Sequence, residues 1–217
     1  MRVLLIAALL LYPNAQSPRV GGPLPYPDAQ SPRDGDRLPQ PAPDRDVQRV
    51  AMEGWREARA LAPKGGALEF LGPVNVRLRE LDKMPNTSAR YAEVAIRAAV
   101  SAAQEERDEM QLFLEHARDL SRQMELAGAP AEWPLPIDEL EGELWLEVDR
   151  YTEARDAYAR AAEARPTPNA LIGLARASDK LGDVIGACAA YTRVRGMPGL
   201  PSSAELEISL YTLKCKY

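Results

Sequence analysis

Asp149-Arg150-Tyr151-Thr152-Glu153-Ala154-Arg155-Asp156-Ala157-Tyr158 is answered 33 residues later by Gly182-Asp183-Val184-Ile185-Gly186-Ala187-Cys188-Ala189-Ala190-Tyr191. In each stretch a turn-forming residue precedes a small residue, and an aromatic follows four positions on. That spacing puts the alanine and the tyrosine on one face of a helix. Working outward, Asp138–Val148 reads as a helix before the first turn and Thr152–Ala164 as the helix after it. Thr167 is placed to cap a third helix that carries Pro168 in its first turn and ends near Leu181-Gly182. Asp183 caps a fourth, running to about Arg195. Pro198 and Pro201 bracket a loop, and Ser202 with Glu205 forms a capping box for a last helix over 202–216.

The paired segments resemble the tetratricopeptide repeat, a helix–turn–helix unit of about 34 residues. The pattern wants a small residue early in the second helix, an aromatic four residues on, another small residue, and a proline near the end. Ala154, Tyr158, Ala161 and Pro166 supply these in the first copy (135–167). Ala187 and Tyr191 do so in the second (168–200), which departs at Val194 and brings Pro198 one residue early. The resemblance implies an all-α fold, a short solenoid of antiparallel helix hairpins. It also implies a groove lined by the first helix of each pair. Carried onto this chain, that lining is Asn169, Ile172, Arg176, Asp179 and Lys180, with Glu139 and Glu143 in the first copy. The Lys/Asn/Arg set with which some members grip a C-terminal carboxylate is not evident.

Upstream, Val47, Val50, Ala51, Trp55, Ala58 and Leu61 recur at helical spacing over Asp46–Ala62, and Pro63 stops the run. Ala51, Trp55, Ala58 and Pro63 repeat the spacing of Ala154, Tyr158, Ala161 and Pro166. A short helix is expected around Asn75–Met84, then one over Thr87–Gln104 capped by Asn86, Thr87 or Ser88. Another runs over Arg107–Ala127. The Glu105–Glu109 acidic run leaves open whether these two are one long helix. The domain thus spans 46–217, with the last helix capping one end and the Thr87–Ala127 hairpin the other.

Residues 1–45 are a different material. Arg2 is followed by the apolar run Val3–Leu11, which looks like a secretory signal spanning 1–15. It is shorter than the roughly 20 residues an ordinary bilayer helix needs. Export to a periplasmic or envelope location is the expectation. Left uncleaved, residues 1–11 would offer a membrane contact. Residues 16–45 are proline-rich and are expected to be a disordered linker. A 14-residue unit runs through it: Tyr12-Pro13-Asn14-Ala15-Gln16-Ser17-Pro18-Arg19 recurs from Tyr26 to Arg33. A spacer is the simpler reading. If the strip is instead a ligand for a partner's groove, Tyr12 and Tyr26 are its anchors.

A net charge of −5, with both signs mixed along the helices, argues against nucleic acid. The single histidine, His116, reads as a surface or core residue rather than a base. Asp138, Glu139, Glu141, Glu143 and Glu147 read as a solvated helix face rather than an acid–base or metal site. No phosphate-cradling loop or nucleophile elbow is present. No cofactor, metal site or catalytic residue is therefore expected. Cys188 and Cys215 could pair in an oxidising compartment, or serve as two small buried hydrophobes. The expected function is a non-catalytic scaffold binding a partner peptide or helix. The alternative is a constitutive subunit of an envelope or membrane complex, held by its N-terminal segment.

Overall fold

The computed structural model describes residues 45–62, 68–129, 133–198, 200 and 202–215. The signal-like segment, the tyrosine strip with Tyr12 and Tyr26, and the linker up to residue 44 lie outside the described residues. Those described form nine α-helices and one 3-10 turn, Leu68–Phe70, with no strand among them. The helices are α1 (Arg45–Arg59), α2 (Gly72–Asp82), α3 (Thr87–Ala103), α4 (Arg107–Leu126), α5 (Ile137–Glu147), α6 (Tyr151–Ala164), α7 (Pro168–Lys180), α8 (Val184–Val194) and α9 (Ser202–Lys214).

Side-chain caps fix three of the helix starts. Of the three candidates before α3, Asn86 is the cap: its side chain accepts from the Ala89 N–H at 2.7 Å. Thr167 does the same for Ala170 at 3.1 Å and Asp183 for Gly186 at 2.9 Å. The side chain of Ser202 lies outside the described residues, so its capping box does too.

The helix ends are more informative. α3 and α4 are separate helices, because Glu105 takes a left-handed conformation (φ 62°) between them. Asp149 (φ 61°) and Gly182 (φ 77°) do the same after α5 and α7. The hydrogen bonds agree at all three ends. The N–H groups of Glu105, Asp149 and Gly182 reach back three residues, and those of Glu106, Arg150 and Asp183 reach back five. This is the Schellman closure, which satisfies carbonyls the helix leaves open. The next residues, Glu106, Arg150 and Asp183, share nearly one conformation (φ −85°, −94° and −79°; ψ 72°, 69° and 76°). Three hairpins, α3–α4, α5–α6 and α7–α8, therefore turn identically.

Counting from the left-handed residue, the fifth position is Met110, Ala154 or Ala187, the ninth is Leu114, Tyr158 or Tyr191, and the twelfth is Ala117, Ala161 or Val194. All nine are buried. α1 buries Val47, Val50, Ala51, Trp55 and Ala58 against α2 and α3. α2 contributes Val74, Leu78 and Leu81 to the same core. That core runs from α1 through α5. A second, smaller one joins α6 through α9 around Leu171, Ile172, Tyr191, Val194 and Ile208. Cys188 and Cys215 are joined by a disulfide that ties the last turn of α9 to α8.

Candidate interaction surface

The contact between α5 and α7 is made by the absence of side chains. Tyr158, on α6, lies between Gly142 of α5 and Gly173 of α7. A Cβ on Gly142 would stand 2.7 Å from the tyrosine ring, and one on Gly173 would stand 2.2 Å from it. The ring fills the slot, and its hydroxyl emerges on the far side to donate to Glu143 at 2.8 Å. Burial, reinforced by the Glu143 charge, pushes the Tyr158 hydroxyl well above its usual range.

Around that hydroxyl four helices contribute charges of alternating sign. Arg59 of α1 donates to Glu143 at 2.8 Å and also pairs with Glu147. Arg176 of α7 bears electrostatically on Glu143 and donates twice to Glu207 of α9, at 2.8 and 2.6 Å. Tyr191 adds a third donor to Glu207 at 2.6 Å. Arg176 and then Tyr191 hold the Glu207 carboxyl below the ordinary carboxylate value, against its burial. Asp179 accepts from Tyr211 and, at 2.9 Å, from Lys214 of α9. Those two bonds likewise lower its carboxyl.

The seven residues assigned to a groove therefore do not form one open strip. Asn169, Arg176 and Lys180 are exposed on α7, and Lys180 stands 5.8 Å over the Tyr151 ring. Glu143 and Asp179 are half-buried in the contacts just described. Ile172 is a correction: at 6% exposure it belongs to the second core, because the register of α7 turns it inward among residues of α6, α8 and α9 rather than to solvent. Glu139 is also buried, accepting from Thr167 Oγ1 at 2.8 Å. Burial raises its carboxyl, opposed by the Thr167 bond and by Arg165.

The acidic face of α5 is a second correction, since it is engaged rather than solvated. Asp138 and Glu141 are gripped by Arg118 of α4, at 2.9 and 2.6 Å. Arg160 of α6 grips the same pair at 3.0 and 2.7 Å. The Glu141 bond, with that of Asp138, raises the Arg118 guanidinium further above its usual value. Seven helices carry these networks, and a charge pattern within one helix does not disclose partners on another. α9 is the exception: Glu207, Tyr211 and Lys214 fall at i, i+4 and i+7, a face readable in the sequence.

A cleft of about 460 Å³ opens between α4 and the α5–α6 hairpin, with Trp145 in its wall. Its arginines are already engaged: Arg107 by the Val148 carbonyl at 3.1 Å, Arg118 by Asp138 and Glu141, and Arg150 by Glu153. His116 is exposed on α4. Among the described residues no group of three or more His, Cys, Asp or Glu is placed to hold a metal ion. No helix among them is long and apolar enough to cross a membrane. Compared with protein-family models, with curated proteins and with solved structures, the chain matches none of them.

Proposed function

We propose that the chain is a non-catalytic interaction scaffold, a short stack of tetratricopeptide-like hairpins that holds a peptide or helix of a protein partner. The observation that carries this reading is the threefold recurrence of one hairpin. The same left-handed turn residue and the same three buried positions appear in α3–α4, α5–α6 and α7–α8. Stacked hairpins of this kind bury a continuous core and leave one helix of each pair to face outward along a row. Three copies also meet the usual minimum for such an array. The α7 surface supports the rest, with Asn169, Arg176 and Lys180 exposed in line on its outward side. Residence in an oxidising, exported compartment is supported by the apolar run at Val3–Leu11 and by the disulfide.

The test is gentle purification of the native chain with chemical cross-linking, beside a variant carrying Asn169→Arg and Lys180→Glu. The wild type should retain a stoichiometric protein partner. The variant should retain at least tenfold less while keeping its helicity and melting temperature. A wild-type chain that runs alone at every concentration, or a partner indifferent to both substitutions, would end the proposal.

A further inference from the structure

α9 is held unlike the other helices. Of its described side chains only Ala204 and Ile208 are buried, while Leu206, Leu210 and Leu213 stand 63, 60 and 58% exposed. Beyond those two core residues, its hold on the molecule is a set of polar anchors on one face. Glu207 meets Arg176 and Tyr191, Tyr211 stacks on Tyr191 at 4.5 Å and donates to Asp179, and Lys214 meets Asp179. One residue past α9, Cys215 closes the disulfide to Cys188.

Anchors at i, i+4 and i+7 have the spacing with which a helical ligand lays one face in a groove; here a carboxylate, an aromatic hydroxyl and an ammonium occupy those positions in place of apolar side chains. The receiving side is complementary at each point, a guanidinium for the carboxylate and a carboxylate for the ammonium. We propose that the α7–α8 surface around Arg176, Asp179 and Tyr191 is a docking site for a partner helix carrying that carboxylate–aromatic–ammonium face. α9 is its resident occupant, latched in place by the Cys188–Cys215 disulfide. This rests on the scaffold reading and names the chemistry of what the scaffold takes.

A tethered occupant competes at high effective concentration, and a second tether at its far end strengthens that hold. With the disulfide cut, residues 195–201 alone connect α9 to α8. Cys215 is exposed and Cys188 half-buried, so a dithiol reductant reaches them. Its thiolate attacks Cys215 Sγ, the S–S bond breaks, and Cys188 leaves as a thiolate and takes a proton. The second thiol of the reductant then displaces Cys215, which is protonated in turn. Two electrons pass to the protein, and the reductant ends as a disulfide.

Two measurements on the full chain test this. Hydrogen–deuterium exchange is followed with and without dithiothreitol. On reduction, amides of 202–215 should exchange at least tenfold faster and by a larger factor than those of α6–α8, while α3–α5 stay within twofold. Unchanged protection in α9, or an equal loss through α6–α8, would overturn the latch. A full-length Cys188→Ser/Cys215→Ser/Glu207→Arg variant, whose own α9 now repels Arg176, is then titrated with a labelled peptide of residues 202–215 bearing Cys215→Ser. The peptide should bind this variant at least tenfold more tightly than the oxidised wild type. Adding Arg176→Glu to the variant should abolish that binding. Equal binding, or none, overturns the docking site. If α9 responds to reduction and takes the peptide but no native partner is ever retained, the scaffold reading fails and the site stands. If Asn169→Arg/Lys180→Glu releases a partner while α9 ignores reduction, the reverse holds.

Discussion

At the scale of single residues, the approach of α5 to α7 turns on Tyr158 and the two glycines beside it. The spacing of Tyr158 from Ala154 marks it as the aromatic that fills the gap to the next helix pair. The gap itself is made by Gly142 and Gly173, which approach the ring at its Cγ end and its Cζ end. Neither glycine announces this, since a glycine inside a helix is locally only a weak point. Its meaning depends on a ring from another helix. Gly173→Ala therefore sets two effects against each other. Helix propensity favours alanine by up to about 1 kcal/mol. Overpacking against a ring approached at both ends costs about 1–3 kcal/mol, so the variant should be less stable in urea. In a Tyr158→Leu background the slot is no longer filled. The same substitution should then be neutral or stabilising, a coupling of about 1 kcal/mol or more. A neutral Gly173→Ala in the wild type would show that the ring does not set the α5–α7 approach. Arg59 was beyond reach for a different reason. It meets Glu143 across 84 positions, and 27 basic and 32 acidic residues offer too many such pairings to choose from.

At the scale of elements, caps and turns were legible wherever local chemistry decides them. Asn86, Thr167 and Asp183 act through their own side chains within three residues, and Gly182 is the natural left-handed terminator. The turn at Glu105 was not legible. Glutamate is a good helix former, and nothing within the Glu105–Glu109 run says stop. Glu105 turns because Ala102 and Met110, on opposite sides of the break, are both buried and the chain must fold back to bury them. Tertiary packing thus overrides a left-handed penalty of about 1–2 kcal/mol. Equivalent turns should answer substitution in opposite directions. Glu105→Gly should stabilise by about 0.5–1 kcal/mol and Gly182→Ala should destabilise by about 1 kcal/mol. Asp149→Gly should gain less than Glu105→Gly, because Asp149 also accepts a bond from Tyr151 at 2.5 Å. Thermal denaturation of the three variants measures this. A destabilised Glu105→Gly would mean the α3–α4 turn is not equivalent to the other two.

At the scale of the whole molecule, the division into two cores cuts across the helix pairs and has no signal in the spacing of apolar residues. Each pair carries apolar residues at similar spacing, but their sizes differ. Of the eleven described residues in the second core, six are alanines: Ala161, Ala162, Ala170, Ala175, Ala190 and Ala204. The first core contains leucine, isoleucine, methionine and valine from five helices. Full burial of one such larger side chain contributes about 1.5–3 kcal/mol, well above what an alanine methyl supplies. The second core is therefore the weaker one, and the disulfide lies within it. Closing a loop of 27 residues contributes about 3–4 kcal/mol in the chain-entropy account, enough to mask the difference. The tryptophans separate the two cores optically. Trp55 is in the first core, and Trp133 and Trp145 pack against it, so all three of the chain's tryptophans report on that core. Far-ultraviolet ellipticity reports on every helix. In urea with dithiothreitol, ellipticity should begin to fall before tryptophan emission moves, as α6–α9 open first. Without reductant the two curves should draw together. Curves that coincide under both conditions would show one cooperative unit and remove the case for a separately yielding C-terminal half.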